Sequence, residues 1–303
     1  MKQRTLGKAC RFSGKGLHTG KIAGMTVNPA PENTGIRFIR TDIGPDAYID
    51  ALAEYVTNTA RCTLLSNGEA SVSTIEHLMS AFTGMGIDNA IVEIDNVEVP
   101  ILDGSASFYV KAFNEAGIVE QEAERIYITL PHEFSIKDEK TGSWVKVTPA
   151  DELSYDITVD FGSRVLGVQE AHWDPSLDYG TEIGPCRTFV FFHEIEYLFA
   201  NNLIKGGDVD NAIVIVEHPV QEGQLERMSK LFNLPVLKVN ESGYLNNLEL
   251  HFSNECGRHK MLDMIGDMRL AGGYLKAHIS GFKPGHAINT NLAKEIRKAL
   301  GNK

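Results

Sequence analysis

No run of apolar residues in this chain is longer than five, and the longest, Ala212 to Val216, has the length of a strand. A membrane-spanning helix needs about 20 such residues, so no span is expected. With 43% hydrophobic and 23% charged residues, the balance is that of a globular chain able to bury a substantial core. Disorder and a disulfide-stapled miniature are thereby excluded. A length of 303 residues suggests two domains. Lys2, Arg4 and Lys8 have no apolar stretch behind them, so no secretory signal is read and a cytoplasmic, monomeric protein is expected.

Charge narrows the function. Lys and Arg number 29 against 40 Asp and Glu, a net charge of -11, and no long basic stretch stands against that field. Binding of nucleic acid or of a generic anionic membrane surface is disfavoured. A small anionic substrate would need a local basic cluster. The four cysteines, Cys10, Cys62, Cys186 and Cys256, form no C-x-x-C pair and read as buried free thiols.

Turn residues punctuate a mixture of strands and helices. Ser73-x-x-Glu76 has the form of a capping box opening a helix through Leu78, Met79 and Phe82, which stops at Gly84-Met85-Gly86. A strand from Ala90 to Asp95 and a helix from about Ser105 to Ala116, stopped by Gly117, follow. Ile126–Leu130, Trp144–Thr148 and Tyr155–Phe161 alternate as an antiparallel meander would. Helices are expected near His193–Asn202, Gln221–Asn233, Asn254–Leu270 and Asn291–Leu300. The acidic stretch Glu120–Glu124 is the candidate boundary, giving domains 1–125 and 126–303. Asp88-Asn89-Ala90-Ile91-Val92 recurs unchanged as Asp210-Asn211-Ala212-Ile213-Val214, a mild sign of two related halves.

The most informative segment is Asn254 to Asp267. At about 100° per residue, His259, Asp263 and Asp267 share one strip of a helix, with Met261, Leu262, Met264, Ile265 and Met268 on the other side. A His and a carboxylate four residues apart can bind one divalent ion; a solvated helix face is the alternative. Gly266 lies on the polar strip, and since glycine in a helix costs about 1 kcal/mol relative to alanine, it marks a close approach. Glu76-His77 could add a third ligand and a carboxylate base, as a hydrolytic metal site requires, or could be a capping glutamate beside a core histidine. His286, among the turn residues of Ser280–His286, reads as a histidine on a positioned loop. Cys256 with His259 is a lesser metal pair. Arg187–Phe192 reads as an aromatic strand.

Taken together these residues resemble the UDP-3-O-acyl-N-acetylglucosamine deacetylase family, the zinc enzymes of lipid A synthesis in Gram-negative bacteria. The resemblance runs nearly end to end, through Ser13–Gly20, Thr74–Ala81, Pro100–Ser105, Arg187–Phe189, Ile195–Leu198, Arg258–Asp267 and Gly285–Ala287. It implies an α+β fold of two similar domains, each a mostly antiparallel sheet packed on helices. The active site would lie between them, with a βαβ-like insert near 188–217 in the second. It implies zinc held by His77, His259 and Asp263, Glu76 as general base, Thr188 and Lys260 as oxyanion donors, and His286 as a general acid oriented by Asp267. The substrate would be an acylated UDP-sugar. Phe191, Ile195, Ile204, Val209 and Val214 would line an acyl passage with Leu17 at its entrance, and Phe161, Phe189 and Lys283 would also meet substrate. Ser143 departs from the family pattern, which often has lysine there, although Lys140 and Lys146 are near. Two other readings are a metal amidohydrolase of a small soluble amide, and a non-enzymatic module with the His/Asp strip in solvent.

Overall fold

A computed structural model of the protein describes residues 1–201, 205–208, 210–221, 223–231 and 237–301. The chain opens with β1 (Lys2–Leu6), β2 (Cys10–Lys15), β3 (Ile22–Pro29), β4 (Ile36–Arg40) and β5 (Tyr48–Asp50), followed by a 3-10 turn at Ala53–Tyr55. It continues with β6 (Val56–Asn58), β7 (Leu64–Asn67), β8 (Ala70–Ser73), α1 (Glu76–Gly84), β9 (Ala90–Ile94), α2 (Ser107–Ala116) and β10 (Ile118–Glu124). Next come β11 (Tyr127–Thr129), β12 (Phe134–Lys137), β13 (Trp144–Pro149), β14 (Ser154–Asp160), β15 (Val168–Trp173) and α3 (Tyr179–Glu182). The last elements are β16 (Phe189–Phe191), α4 (Phe192–Ala200), β17 (Ile213–Ile215), α5 (Gln224–Leu231), α6 (Glu255–Arg269), β18 (Tyr274–Phe282) and α7 (His286–Ala299).

Two sheets share one plan, and the fold is α+β. The first has the order β2-β3-β9-β4-β5, the second β12-β13-β18-β14-β15 with β11 also on β18. In each, the middle strand is antiparallel to one neighbour and parallel to the other. In each, a helix precedes that strand (α1 or α6) and another follows it (α2 or α7). The expected meander is therefore corrected: β18 inserts between β13 and β14, which are consecutive in sequence, and makes parallel pairs with β14 and β11. Alternation reports which face of a strand is buried, not which strand lies beside it. The short repeat is corrected as well. β9 is the middle of a five-stranded sheet, whereas β17 forms a two-stranded sheet with β16 and a single bridge from Ile215 to Tyr244; the counterpart of β9 is β18. Glu120–Glu124 is ordered strand, paired with β1.

The terminal helix begins at His286, five residues before its expected start, because Lys283 takes a left-handed conformation (φ 52) that turns the chain out of β18. β16, α4 and β17 form the expected βαβ-like insert, with β16 and β17 parallel. All four cysteines are free and buried, and no described helix is long and apolar enough to cross a membrane.

One core runs through both sheets, joining Met25, Phe38 and Val92 to Val147, Tyr155 and Ile279 through Leu78, Phe82, Leu262 and Ile265 of α1 and α6. These two helices are buried nearly all round, and they cross at Gly266. A methyl group there would overlap the Glu76 carbonyl and lie 3.1 Å from the Ser80 nitrogen. The close approach read from the sequence is therefore that of a neighbouring helix backbone. Backbone atoms cannot rotate away as a side-chain tip can, so Gly266→Ala has to part the helices. Overpacking of this kind costs about 1–3 kcal/mol, and the substitution is expected to lower the denaturation midpoint and the affinity for divalent metal together, as read by chemical denaturation and metal titration.

Candidate metal centre and apolar cavity

The start of α1 differs from the capping-box expectation. Ser73 ends β8 and gives its hydroxyl to the Val97 carbonyl at 3.2 Å. The N-cap is Ile75, which makes no side-chain cap bond. Glu76 is thus free of the capping role, and its Oε2 accepts the Thr63 N–H at 3.0 Å. The next residue, His77, meets the polar strip of α6 across the helix crossing.

His77 Nε2 is 3.6 Å from Asp263 Oδ1, and His259 Nε2 is 3.5 Å from the same oxygen. The imidazoles stand edge to face with centroids 5.0 Å apart, and all three ligand atoms lie within 4.8 Å of one another. A tetrahedral ion with bonds of about 2.0–2.1 Å separates its ligands by about 3.3 Å, close to these distances. Asp263 Oδ1 is buried and has no hydrogen-bond partner, which in a polar, charged pocket points to a missing cation. The donor set fits one divalent metal. Cys256 is no part of the cluster. Because His259, Asp263 and Asp267 are at most 2% exposed, the solvated-face reading is excluded.

Groups around the cluster fix its geometry. His259 Nδ1 is 3.0 Å from the Cys186 carbonyl, which turns Nε2 inward. Lys260 Nζ donates to Asp263 Oδ2 at 2.7 Å. His286 Nδ1 is 3.0 Å from Asp267 Oδ2, which also accepts from Asn289 at 3.0 Å. The Thr63 hydroxyl donates to Asp267 Oδ1 at 2.6 Å. His286 Nε2 lies 3.9 Å from Glu76 Oε1 and 4.0 Å from Asp263 Oδ2. His286 is the first residue of α7 and not a loop residue.

Burial sets the charge states. It pushes His77 down to about 3 and also lowers His259, leaving both in the neutral form that binds metals. Burial works against the Asp263 charge, yet Lys260, with the cationic His286 beyond it, holds its pKa far below the usual carboxylate range. Burial, helped by Asp263 and Asp267 against the pull of His286, raises Glu76 to about 7. For His286 burial is outweighed by Asp267 and Glu76, which raise it to about 9. A carboxylate poised near neutrality thus faces a histidine that is cationic there, as general acid–base chemistry requires.

Comparison with known proteins now decides the family. The family model for UDP-3-O-acyl N-acetylglycosamine deacetylase matches residues 3–232 and 229–298. The chain belongs to this deacetylase family. It is 42% identical to the bifunctional enzyme LpxC/FabZ of Porphyromonas gingivalis over 99% of this chain, and spans 65% of that protein. A bifunctional LpxC/FabZ of Bacteroides thetaiotaomicron is 40% identical with the same two coverages. UDP-3-O-acyl-N-acetylglucosamine deacetylase of Chromohalobacter salexigens is 38% identical over 98% of this chain and 90% of its own length.

In this deacetylase-family chain an apolar cavity opens beside the cluster. Leu17, Ile195 and Val214, three of the residues the resemblance assigns to an acyl passage, line it, together with Thr188, Phe189, Leu198, Ala212 and Leu245. Ile204 and Val209 lie outside the described residues. Phe191 is not among the lining residues; with Phe161 it packs around Phe189, with centroids 5.5–6.5 Å apart. Phe189 itself lies 6.3 Å from the His259 ring, joining cavity to cluster. Lys283 reaches Asp160 at 3.8 Å, next to the exposed Phe161.

Sequence reasoning passed over Thr63, which bonds both Glu76 and Asp267 and carries no periodic signal. Pro100–Ser105, one of the blocks of the resemblance, has a structural part that no local pattern marks. Gly104 (φ 78) accepts the Thr188 N–H at 2.8 Å and packs so closely on the Asn211 carbonyl that a side chain would overlap it. Behind Thr188, the Arg187 guanidinium and N–H bond the fully buried Glu255 carboxylate at 2.8 and 3.0 Å. Those bonds hold the Glu255 pKa below its usual 4.5 although burial opposes them. The stability it contributes is therefore full above about pH 4.5 and lost as pH falls through the lower folded value. Glu255→Gln leaves Arg187 buried and unpaired, a loss of about 3–5 kcal/mol at pH 7 that narrows against wild type in acid, as denaturation at pH 7 and pH 3.5 measures.

Proposed function

We propose that the protein is the cytoplasmic, zinc-dependent enzyme that removes the N-acetyl group of UDP-3-O-(3-hydroxyacyl)-N-acetylglucosamine, releasing acetate and the free amine. The observation that carries this reading is the placement of a His-His-Asp cluster, a neutral-range carboxylate and a cationic histidine at one end of an apolar cavity. His77 Nε2, His259 Nε2 and Asp263 Oδ1 would hold the zinc, and two nitrogens, one oxygen and an open position suit that metal. When bound, zinc supplies Lewis-acid polarisation of the amide carbonyl and lowers the pKa of the attacking water.

Glu76 takes the proton of that water at its carboxylate, which the Thr63 N–H keeps in place. The Lys260 ammonium and the Thr188 hydroxyl are proposed to donate toward the carbonyl oxygen as negative charge develops on it. His286 delivers a proton from Nε2 to the departing nitrogen, while Asp267 holds its Nδ1–H. The carbon–nitrogen bond then breaks to acetate and amine. Leu17, Phe189, Ile195 and Val214 enclose the acyl chain, and this length of apolar wall argues against a small soluble amide. Phe161 and Lys283 are proposed to meet the nucleotide.

The test is turnover of the acylated UDP-sugar with and without chelator. Activity is expected to vanish on chelation and return with zinc, and chelator-resistant turnover would sink the metal assignment. Glu76→Ala is expected to keep about one zinc per chain and lose roughly 10²–10⁴-fold in kcat; equal loss of metal would move Glu76 into the ligand set.

A pH profile tests the acid. His286 is raised to about 9, so it carries its proton at neutral pH and loses it as pH rises through that region. The rate kcat/KM is expected to fall on the alkaline side, and His286→Ala to lower the rate and flatten that limb. An unaltered alkaline limb in the variant would assign it to another group.

A further inference from the structure

Glu98 lies outside the metal cluster, between β9 and α2, and is 1% exposed. Its backbone is bridged to Ser73, and the Val99 N–H bonds the Ser73 carbonyl at 3.1 Å. Oε1 accepts the His18 N–H and the Thr74 hydroxyl, each at 2.9 Å. Oε2 accepts the Thr19 N–H at 2.8 Å and the Thr19 hydroxyl at 2.7 Å. Four donors on one carboxylate fill about its whole lone-pair capacity.

These donors belong to two different parts of the site. His18 and Thr19 lie in the loop Gly16–Gly20, which presents Leu17 and His18 to the cavity and whose Leu17 carbonyl accepts the Gly206 N–H at 3.0 Å. The loop can wrap the carboxylate because residue 16 has no side chain; a Cβ there would overlap Glu98. Thr74 stands in the left-handed region (φ 59), a strained conformation for a β-branched residue that needs a restraint to persist. The residues that follow it are Ile75, the N-cap of α1, then Glu76 and His77.

We infer that Glu98 is a positioning residue that ties the mouth of the cavity to the start of α1, so that one carboxylate sets both the grip on the acyl chain and the placement of Glu76 and His77. The inference rests on the reading of the cavity as an acyl passage. In Glu98→Gln the amide nitrogen faces a backbone N–H, of His18 or of Thr19, in either orientation, so the loop loses an anchor. The variant is expected to keep its zinc and to lose about tenfold more kcat/KM with a long-chain substrate than with a short-chain analogue, the weight of one charged hydrogen bond.

Two further variants separate the arms. Thr19→Val is expected to lower the long-to-short ratio with short-chain kcat unchanged. Thr74→Val is expected to lower kcat for both substrates alike with the ratio unchanged. A wild-type ratio in Glu98→Gln and Thr19→Val, or a wild-type kcat in Thr74→Val, overturns the inference; if Glu98→Gln does not fold, the threonine variants decide it alone. If the wild-type protein turns over neither substrate, the proposed activity fails, and amide hydrogen exchange then reads the anchoring by itself. His18 and Thr19 amides protected in wild type and released in Glu98→Gln support it, and equal protection refutes it.

Discussion

Everything chemical in this protein depends on two helices touching backbone to backbone. Where α6 crosses α1, Gly266 rests on the Glu76 carbonyl and the Ser80 nitrogen, closer than any side chain permits. Helical periodicity puts His259, Asp263 and Asp267 on the strip that contains this glycine. Without the crossing they would stand a side-chain length away from His77. Glycine in a helix costs about 1 kcal/mol; the burial of α1 and α6 in a common core offsets that.

The crossing also dries the site, and dryness makes its charges strong and expensive to hold. Two neutral imidazoles, two aspartates, a lysine and a histidine cation lie within a few ångströms with little solvent. Such a group persists only if its polar atoms are paired. Thr63 does much of this, giving its N–H to Glu76 and its hydroxyl to Asp267, so the proposed base and the partner of the proposed acid are held by one residue. Asp263 Oδ1 and Asn289 Oδ1 are left over, and of the two it is the carboxylate oxygen between two imidazoles that suits a cation.

What the sequence made legible follows from which forces are local. The α6 strip could be read because helical spacing alone places those side chains together, and the parallel strands flanking α4 formed as the resemblance implied. The role of Glu76 could not be decided locally, since Ser73-x-x-Glu76 fits a capping box as well as a catalytic carboxylate. What removes the cap is the commitment of Ser73 to a strand beside Val97 and Glu98, a tertiary event. His286 was placed on a loop because a turn-rich segment precedes it, and nothing local marks a helix beginning at the residue after Gly285. The insertion of β18 between β13 and β14 was illegible for a similar reason: partner choice belongs to the whole sheet.

The duplicated sheets carry a consequence for how such a protein is made. α1 and α6 hold the same station, each before the middle strand of its sheet, yet one half supplies His77 and the other His259 and Asp263. Neither half owns all three ligands, although the second holds two of them. During synthesis the first unit can emerge and collapse while the second is still on the ribosome, but it then offers a lone imidazole, a poor trap for any ion. Metal capture is thereby deferred until α6 has been made and docked, so an ion drawn in by the completed site reports that the two halves have already found each other.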